Sequence, residues 1–220
     1  MVDARSLHHV DRASTPVTYA LIAINVVIFL AGRIDDSLGN RLFLDGAQHP
    51  FLIDAGEWWR VFTAMFLHGG ITHVLFNMWA LYLFGPSLER RFGSVSMASL
   101  YLAAGVGGGA LYHAAGRTAF AVGASGAIFG LMGALLAASY RQRHTAAGRA
   151  VFGQLVLLLG INLALPLLVP NVAWEAHLGG LIAGLVIAAA WDRLPVPAAS
   201  RRTALATAVA IAAMLIVFLV

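Results

Sequence analysis

Residues 172–191 read VAWEAHLGGLIAGLVIAAAW, and this stretch decides the class of fold. Glu175 is its only charged residue, and a helix that crosses the hydrocarbon core of a bilayer needs about 20 mostly apolar residues. The stretch is therefore predicted to be a transmembrane helix. Its two ionisable residues, Glu175 and His177, both lie near its N-terminal end.

The composition of the whole chain indicates the same class. Of 220 residues, 60% are hydrophobic and 11% are charged, with a mean hydropathy of +0.82. A soluble domain carries about 25% charged residues, so this chain has too little charge to cover a surface in water. That excludes a soluble enzyme, a disordered chain and a nucleic-acid-binding protein of the usual kind. The absence of Cys excludes disulfides, a thiol nucleophile and thiolate metal sites.

Apolar runs of comparable length recur along the chain, separated by charged or Pro- and Gly-rich breaks. We predict an all-α membrane protein in which six helices form a bundle and a seventh follows at the C-terminal end. The predicted helices are Val17–Gly32, Thr72–Phe84, Val95–His113, Ala121–Tyr140, Ala150–Leu168, Val172–Trp191 and Ala204–Val220.

The arginines predict the orientation of the bundle. All 14 basic residues are Arg, and basic residues in short loops are retained on the cytoplasmic side. With the N-terminus inside, only Arg33, Arg41, Arg60 and Arg117 lie outside, and the other ten lie inside. We therefore expect a cytoplasmic N-terminus and an outer C-terminus.

The connection 33–70 between the first two predicted helices is much longer than the others. A connection of this length is usually functional or disordered. Disorder is not expected here, because the segment is rich in aromatic side chains and Trp favours the membrane interface. We expect it to lie partly in the outer leaflet, either as a cap without chemistry or as part of a site. Its aromatic residues are Phe43, Phe51, Trp58, Trp59, Phe62 and Phe66.

Four polar residues stand where a membrane helix is expected to be apolar. His73 and Asn77 are spaced i, i+4 and share one face of the second helix, while Ser125 and His177 lie near the N-terminal ends of the fourth and sixth. All three ends face outward in the predicted orientation, so the four side chains lie at similar depth. Because intramembrane polar residues usually face a bundle interior or a water-filled cavity, we predict one polar site near the outer surface.

A Ser within reach of a His is the minimum for an activated hydroxyl nucleophile, because a neutral imidazole can accept the hydroxyl proton. Acyl transfer also needs hydrogen-bond donors directed at the developing oxyanion. The Asn77 carboxamide, the His73 imidazole and the backbone N–H groups around Ser125 could supply them. Carboxylates are nearly absent from the predicted helices, which favours a dyad over a triad.

Other interpretations of the same residues remain open. Ser125 alone would more often be a packing residue, and the spacing of Gly126, Gly180 and Gly184 is typical of helix contacts. His68, His73 and His177 could form a three-histidine zinc site, although their spacing is poor for one and we expect no metal. A small transporter would need ionisable residues along a continuous path, and here they cluster at one end.

These residues resemble the motifs of the rhomboid family of intramembrane serine proteases, over roughly residues 16–191. Each motif alone is common, whereas their order on alternating helices is highly specific. The matching segments are EWWR at 57–60, FLHGG at 66–70 running into His73 and Asn77, GPSLE at 85–89, GASG at 123–126, and AHLGG at 176–180 with Gly184.

The resemblance implies a role for each matching residue. Ser125 matches the nucleophile, His177 the general base, and His73 with Asn77 the oxyanion-stabilising side chains. The remaining matches are structural: Gly123 is implied to permit tight helix packing beside the nucleophile, and Trp59 and Arg60 form the first-loop motif. Phe129 departs from members that carry Tyr there, but its ring could still stack on His177.

The resemblance also implies a domain organisation and a function. We expect a short cytoplasmic tail at 1–15, a protease core at 16–191 that includes the long first outer loop 33–70, and a linker with an extra helix at 192–220. The expected activity is cleavage of transmembrane-helix substrates in the cell (inner) membrane, with lipid as surroundings, no nucleic acid and no cofactor. The alternative is a catalytically silent rhomboid-like protein that binds transmembrane helices. The sequence gives no oligomeric state.

Overall fold

The computed structural model of the chain describes residues 14–164, 172–194 and 199–219. Residues 1–13 of the expected tail, residues 165–168 of the fifth predicted helix, linker residues 195–198 and Val220 lie outside the described residues. A 3₁₀ turn at Ala64–Phe66 follows the short helix Arg60–Thr63. The helices are α1 (Pro16–Ile34), α2 (Asp36–Gly46), α3 (Pro50–Asp54), α4 (Arg60–Thr63), α5 (Ile71–Phe92), α6 (Ser94–Ala114), α7 (Ser125–Arg141), α8 (Ala146–Ala164), α9 (Trp174–Trp191) and α10 (Ala199–Leu219).

Each of the seven predicted runs overlaps one long helix, and the predicted all-α membrane class is confirmed. Among the described residues, α1, α6, α9 and α10 are long and apolar enough to cross a membrane. A fifth candidate is a bent pair, in which the segment Arg60–Phe66 meets α5 at 92°. The apolar stretch Ala146–Asn162 of α8 and the 17-residue α7 are shorter than these four helices. The chain is a multi-pass helical membrane bundle.

Four predicted boundaries differ from the structure by four residues or more. Two of them are helix starts that come early: α8 begins at Ala146 and α10 at Ala199, ahead of the predicted Ala150 and Ala204. The second run was expected to end at Phe84, before Gly85 and Pro86, but α5 continues through Pro86 to Phe92. An interior Pro costs a helix about 3 kcal/mol, and burial of Leu88 and Phe92 in the core offsets that loss. Residues 121–124 are predicted to be helical as well. In the structure, Ala121 instead forms a β-bridge with Gln48 of the first connection, and α7 begins at Ser125.

The centre of the bundle is formed by α6, α7 and α9, whose backbones approach closely through glycines. A Cβ atom on Gly180 would collide with the carbonyl oxygen of Gly126, and one on Gly184 would collide with that of Gly130. Small residues allow this approach in membrane helices. The helix contacts predicted at these positions are therefore present, and they fix the first two turns of α7 against the second and third turns of α9.

The interface between α1 and α5 is built differently, around the buried carboxylate of Glu89. Glu89 accepts hydrogen bonds from the backbone N–H groups of Val17 and Thr18 at 2.9 and 2.8 Å and from the Thr18 hydroxyl at 2.7 Å. These N–H groups belong to the first turn of α1, where a helix has no internal partners and where negative charge is favourable. A side chain of α5 thus caps α1.

The long first connection is folded into α2, α3, α4 and the 3₁₀ turn, rather than forming an irregular loop. Arg60 is only 3% exposed, and it donates to the Ala47 carbonyl at 2.8 Å and, through Nε, to Glu57 at 2.7 Å. Trp59 donates from Nε1 to the Asp45 carbonyl at 3.2 Å. The motif that the resemblance implied to be structural therefore ties α4 to the end of α2.

The seventh long helix, α10, packs along α6 and reaches the first connection. Ala213 and Val217 form an apolar cluster with two residues of α6, and Ile53 and Val61 of the connection belong to the same cluster. The indole N–H of Trp191 donates to the Arg202 carbonyl at 2.8 Å. The extra helix is thus an integral part of the packed bundle.

Candidate active site

Ser125 is the first residue of α7, and the segment before it is held by backbone hydrogen bonds to the first connection. Ala121 and Gln48 exchange two backbone hydrogen bonds, at 2.8 and 3.0 Å. The Gly123 N–H donates to the Ala64 carbonyl at 2.9 Å. The hydroxyl therefore sits at a helix end whose position is set by two elements distant in sequence.

His177 lies in the first turn of α9 and faces Ser125. Its Nε2 atom is 2.9 Å from the Ser125 Oγ atom, within hydrogen-bond distance. One face of the imidazole stacks on the ring of Phe129, with ring centroids 4.3 Å apart and ring planes 7° apart. The stacking expected from the sequence is confirmed. The ring of Phe129 limits rotation of the imidazole, so Nε2 stays directed at the hydroxyl.

The carboxylate nearest to His177 in sequence does not join this pair. Glu175 forms an ion pair with Nε of Arg117 at 3.0 Å. Among the described residues, no carboxylate forms a hydrogen bond with His177. Within the described residues, the hydrogen-bonded contact of Ser125 with His177 thus includes no carboxylate.

His73 lies beside the hydroxyl, in space that Gly123 leaves open. Gly123 has a backbone φ of +130°, a region that favours glycine. A Cβ atom there would be 2.7 Å from Nε2 of His73 and 3.7 Å from Oγ of Ser125. Gly123 precedes α7, and its missing side chain makes room for this imidazole of α5 next to the hydroxyl.

Asn77 is buried one turn further along α5. Its Nδ2 atom donates to the carbonyl of His73 at 2.9 Å, which leaves the second N–H of the carboxamide for another acceptor. Within the described part of the chain, no hydrogen bond joins Asn77 to Ser125 or His177. Of the four predicted polar residues, three are thus brought together, while the hydrogen bond of the Asn77 side chain is made within α5.

A small cavity adjoins the hydroxyl. Its volume is about 30 Å³, which exceeds the roughly 10–15 Å³ that a cavity needs to hold one water molecule. Its lining combines the Ser125 turn with residues that the sequence did not single out, notably Gln48 and Ala64. Nothing in the sequence marks these two as neighbours of Ser125, because their hydrogen bonds to the segment before it are made by backbone atoms.

The three-histidine metal site considered from the sequence is not formed. The rings of His68 and His73 are in edge contact, with centroids 5.1 Å apart. Over residues 14–164, 172–194 and 199–219, however, no group of three potential ligands from His, Cys, Asp and Glu is arranged to hold a metal ion.

The sequence of this chain is similar to those of known proteins. A family model described as Rhomboid domain matches residues 55–192. "Rhomboid protease GluP" of Bacillus subtilis (strain 168) is 38% identical over 175 residues, which cover 79% of this chain and 34% of that protein. "RHOMBOID-like protein 1" of Arabidopsis thaliana is 42% identical over 132 residues, 60% of this chain and 34% of that protein. The chain spans about a third of the length of these relatives. With a helical membrane bundle and the family domain over most of its length, the chain belongs to the rhomboid family.

Proposed function

We propose that this protein is an intramembrane serine endopeptidase in which Ser125 and His177 form the catalytic dyad. The observation that carries the proposal is the 2.9 Å distance between Ser125 Oγ and His177 Nε2, with Phe129 stacked on the imidazole. The name of the bacterial relative, a rhomboid protease, supports the same reaction class.

The proposed reaction begins when Ser125 Oγ attacks a peptide carbonyl and His177 Nε2 accepts its proton. For this, Nε2 must be unprotonated in the resting enzyme, so the ring proton is on Nδ1. His177 then donates the proton to the leaving amine. Water hydrolyses the acyl-enzyme, and the cavity beside Ser125 has room for one water molecule.

The developing oxyanion needs donors on the side of the hydroxyl opposite His177. We assign this role to the His73 ring, which lies next to Gly123, and to the second N–H of Asn77. Backbone N–H groups at the start of α7 add to these, because the first turn of a helix has unpaired donors. Loss of one such donor typically lowers kcat by about 10²- to 10³-fold.

The proposed substrates are transmembrane helices of other proteins. A carbonyl within a helix is already hydrogen-bonded, so the substrate must unwind locally before Ser125 can attack it. Residues that weaken a helix, such as Gly and Pro, are therefore expected near the cleavage point.

Labelling with a fluorophosphonate tests the dyad, because such reagents react with activated serines. The full-length protein in detergent micelles is expected to label, while Ser125→Ala and His177→Ala are not. Ser139→Ala and His144→Ala are the matched controls: Ser139 lies at the other end of α7 and His144 in the exposed turn after it. Equal labelling of the wild type and Ser125→Ala would refute the nucleophile, and a folded wild type that does not label would favour the silent helix-binding alternative.

We also propose that residues 16–191 form the protease core, and that its site opens to the outer face of the cell membrane. The arginine distribution supports this orientation. Because the chain has no Cys, single substitutions give a clean test with a membrane-impermeant maleimide on intact cells. Thr118→Cys should react and His144→Cys should not; the reverse pattern would invert the proposed topology.

A further inference from the structure

One charged pair beside the site takes no part in the proposed reaction. Glu175 is 5% exposed, and its carboxylate pairs with Nε of Arg117 at 3.0 Å. Its second oxygen, Oε2, is buried without a hydrogen-bond partner among the described residues. Arg117 is the only cation that forms an ion pair with this carboxylate in the described part of the chain.

The pair joins the two segments that carry the dyad. Glu175 is in the first turn of α9, two residues before His177. Arg117 is in the segment 115–124 that connects α6 with Ser125, the first residue of α7. An ion pair between them links the approach to the nucleophile directly to the turn that bears the base.

The Arg117 side of the pair is itself anchored. The Tyr112 hydroxyl donates to the Ala119 carbonyl at 2.8 Å, and a ring nitrogen of His49 lies 3.1 Å from the Thr118 carbonyl oxygen. These contacts hold the two residues that follow Arg117, on a segment whose own side chains are mostly exposed. The cation is therefore presented to Glu175 from a fixed backbone.

Loss of the cation would leave a buried carboxylate without compensation. The Arg117 side chain is 43% exposed while that of Glu175 is 7% exposed, so it is the carboxylate that would stay buried and unpaired, a costly state for a charge. A rotation or outward shift of the first turn of α9 would bring Glu175 to water. That motion would carry His177 away from Ser125, and a displacement of about 1 Å in a catalytic group can cost about 10²-fold in rate.

We propose that Arg117 and Glu175 are positioning residues: the cation compensates the buried carboxylate, and this keeps the first turn of α9 in the register that places His177 against Ser125. The proposal rests on the dyad proposed above for its effect on activity, but it concerns the position of His177 and is measurable without activity.

The test uses the full-length protein in detergent micelles and two readouts. One is the second-order rate of fluorophosphonate labelling at Ser125. The other is the rate at which diethyl pyrocarbonate modifies His177, followed by mass spectrometry, which reports exposure of the imidazole even in a chain that does not label. Arg117→Ala is expected to slow labelling at least about tenfold and to speed modification of His177. Arg41→Ala, which changes an exposed arginine of α2, is the control and should alter neither.

The double variant Arg117→Ala/Glu175→Gln separates positioning from packing. It removes the orphaned charge and keeps nearly the same side-chain volume at 175, so most of the lost labelling rate and of the lost protection of His177 should return. A double variant as slow and as unprotected as Arg117→Ala would overturn the proposal, as would an Arg117→Ala protein with wild-type values in both readouts.

A further comparison covers the case in which Arg117→Ala does not fold. Arg117→Lys keeps the charge and should protect His177 as the wild type does, whereas Arg117→Gln should not. Equal protection in these two variants would contradict the ion-pair role. A wild type that fails to label would count against the proposed dyad alone, because protection of His177 is still compared between variants.

Discussion

Two helix interfaces of this bundle are held in opposite ways. Between α7 and α9 the contact is backbone against backbone, with Gly180 facing the Gly126 carbonyl. Between α1 and α5 it is side chain against backbone, with Glu89 accepting from the first turn of α1. The first interface carries both members of the proposed dyad and the second carries neither.

The difference separates two roles: the α7–α9 interface fixes the positions of the site residues, and the α1–α5 interface contributes to the stability of the fold. A glycine contact has no side chain that could rotate to absorb a change, so any added atom moves a whole helix. A carboxylate cap can be weakened in steps without moving the site. Changes at the first interface should therefore act mainly on activity, and changes at the second mainly on stability.

The largest effect is expected from Gly180→Ala. The new methyl group would overlap the Gly126 carbonyl oxygen, so α9 must move away from α7 and take His177 with it. Labelling of Ser125 by a fluorophosphonate should fall by about 10²-fold or more. Gly153→Ala on α8 is the matched control, because no atom lies within 4 Å of its added Cβ. Normal labelling of Gly180→Ala would show that the interface yields more easily than its geometry indicates.

An intermediate effect, on stability rather than on activity, is expected from Glu89→Ala. The first-turn N–H groups of α1 and the Thr18 and Ser94 hydroxyls would lose their acceptor. The free energy of unfolding should fall by about 3 kcal/mol, measured by thermal melting in micelles. The labelling rate of the protein that remains folded should be unchanged. Glu89→Gln retains one acceptor oxygen and should lie between Glu89→Ala and the wild type. A loss of labelling without a loss of stability would contradict the division.

The smallest effect is expected at the far end of α9, from Asp192→Asn. Asp192 pairs with Arg141 at 2.7 Å and with Arg91 at 3.4 Å, and both arginine side chains are at least 40% exposed. The substitution removes the 9% exposed carboxylate and leaves arginines that water already reaches, so we expect a loss of about 0.5 kcal/mol that is screened by salt. Melting temperatures of this variant and the wild type should thus differ slightly at low salt and converge at high salt. A large, salt-independent difference would mean that this end of α9 also depends on an ion pair.

The sequence predicts the long helices and the polar residues of the candidate site, because both depend on local signals. Apolar runs define helices by length alone, and polar residues such as His73 are conspicuous inside them. The alternation of helix direction then places Ser125 and His177 at the same end of the bundle.

The sequence does not predict what depends on contacts between distant backbones. The pairing of Ala121 with Gln48 shortens the predicted fourth helix, and no side-chain pattern announces a two-residue bridge. Burial of Leu88 and Phe92 extends α5 past Pro86, which overrides the local preference. The room that Gly123 makes for His73 is likewise a property of the assembled fold.

The Ala121–Gln48 bridge also constrains when the site can exist during synthesis. Its two residues are 73 positions apart, and a further 52 residues must be added after Ser125 before His177 is reached. Contacts of such sequence separation cannot form until the later segment has been made. A ribosome-bound chain that ends before α9 has its serine in place without a base. The proposed nucleophile is therefore silent through most of membrane insertion, and it gains its partner only when the sixth long helix joins the bundle.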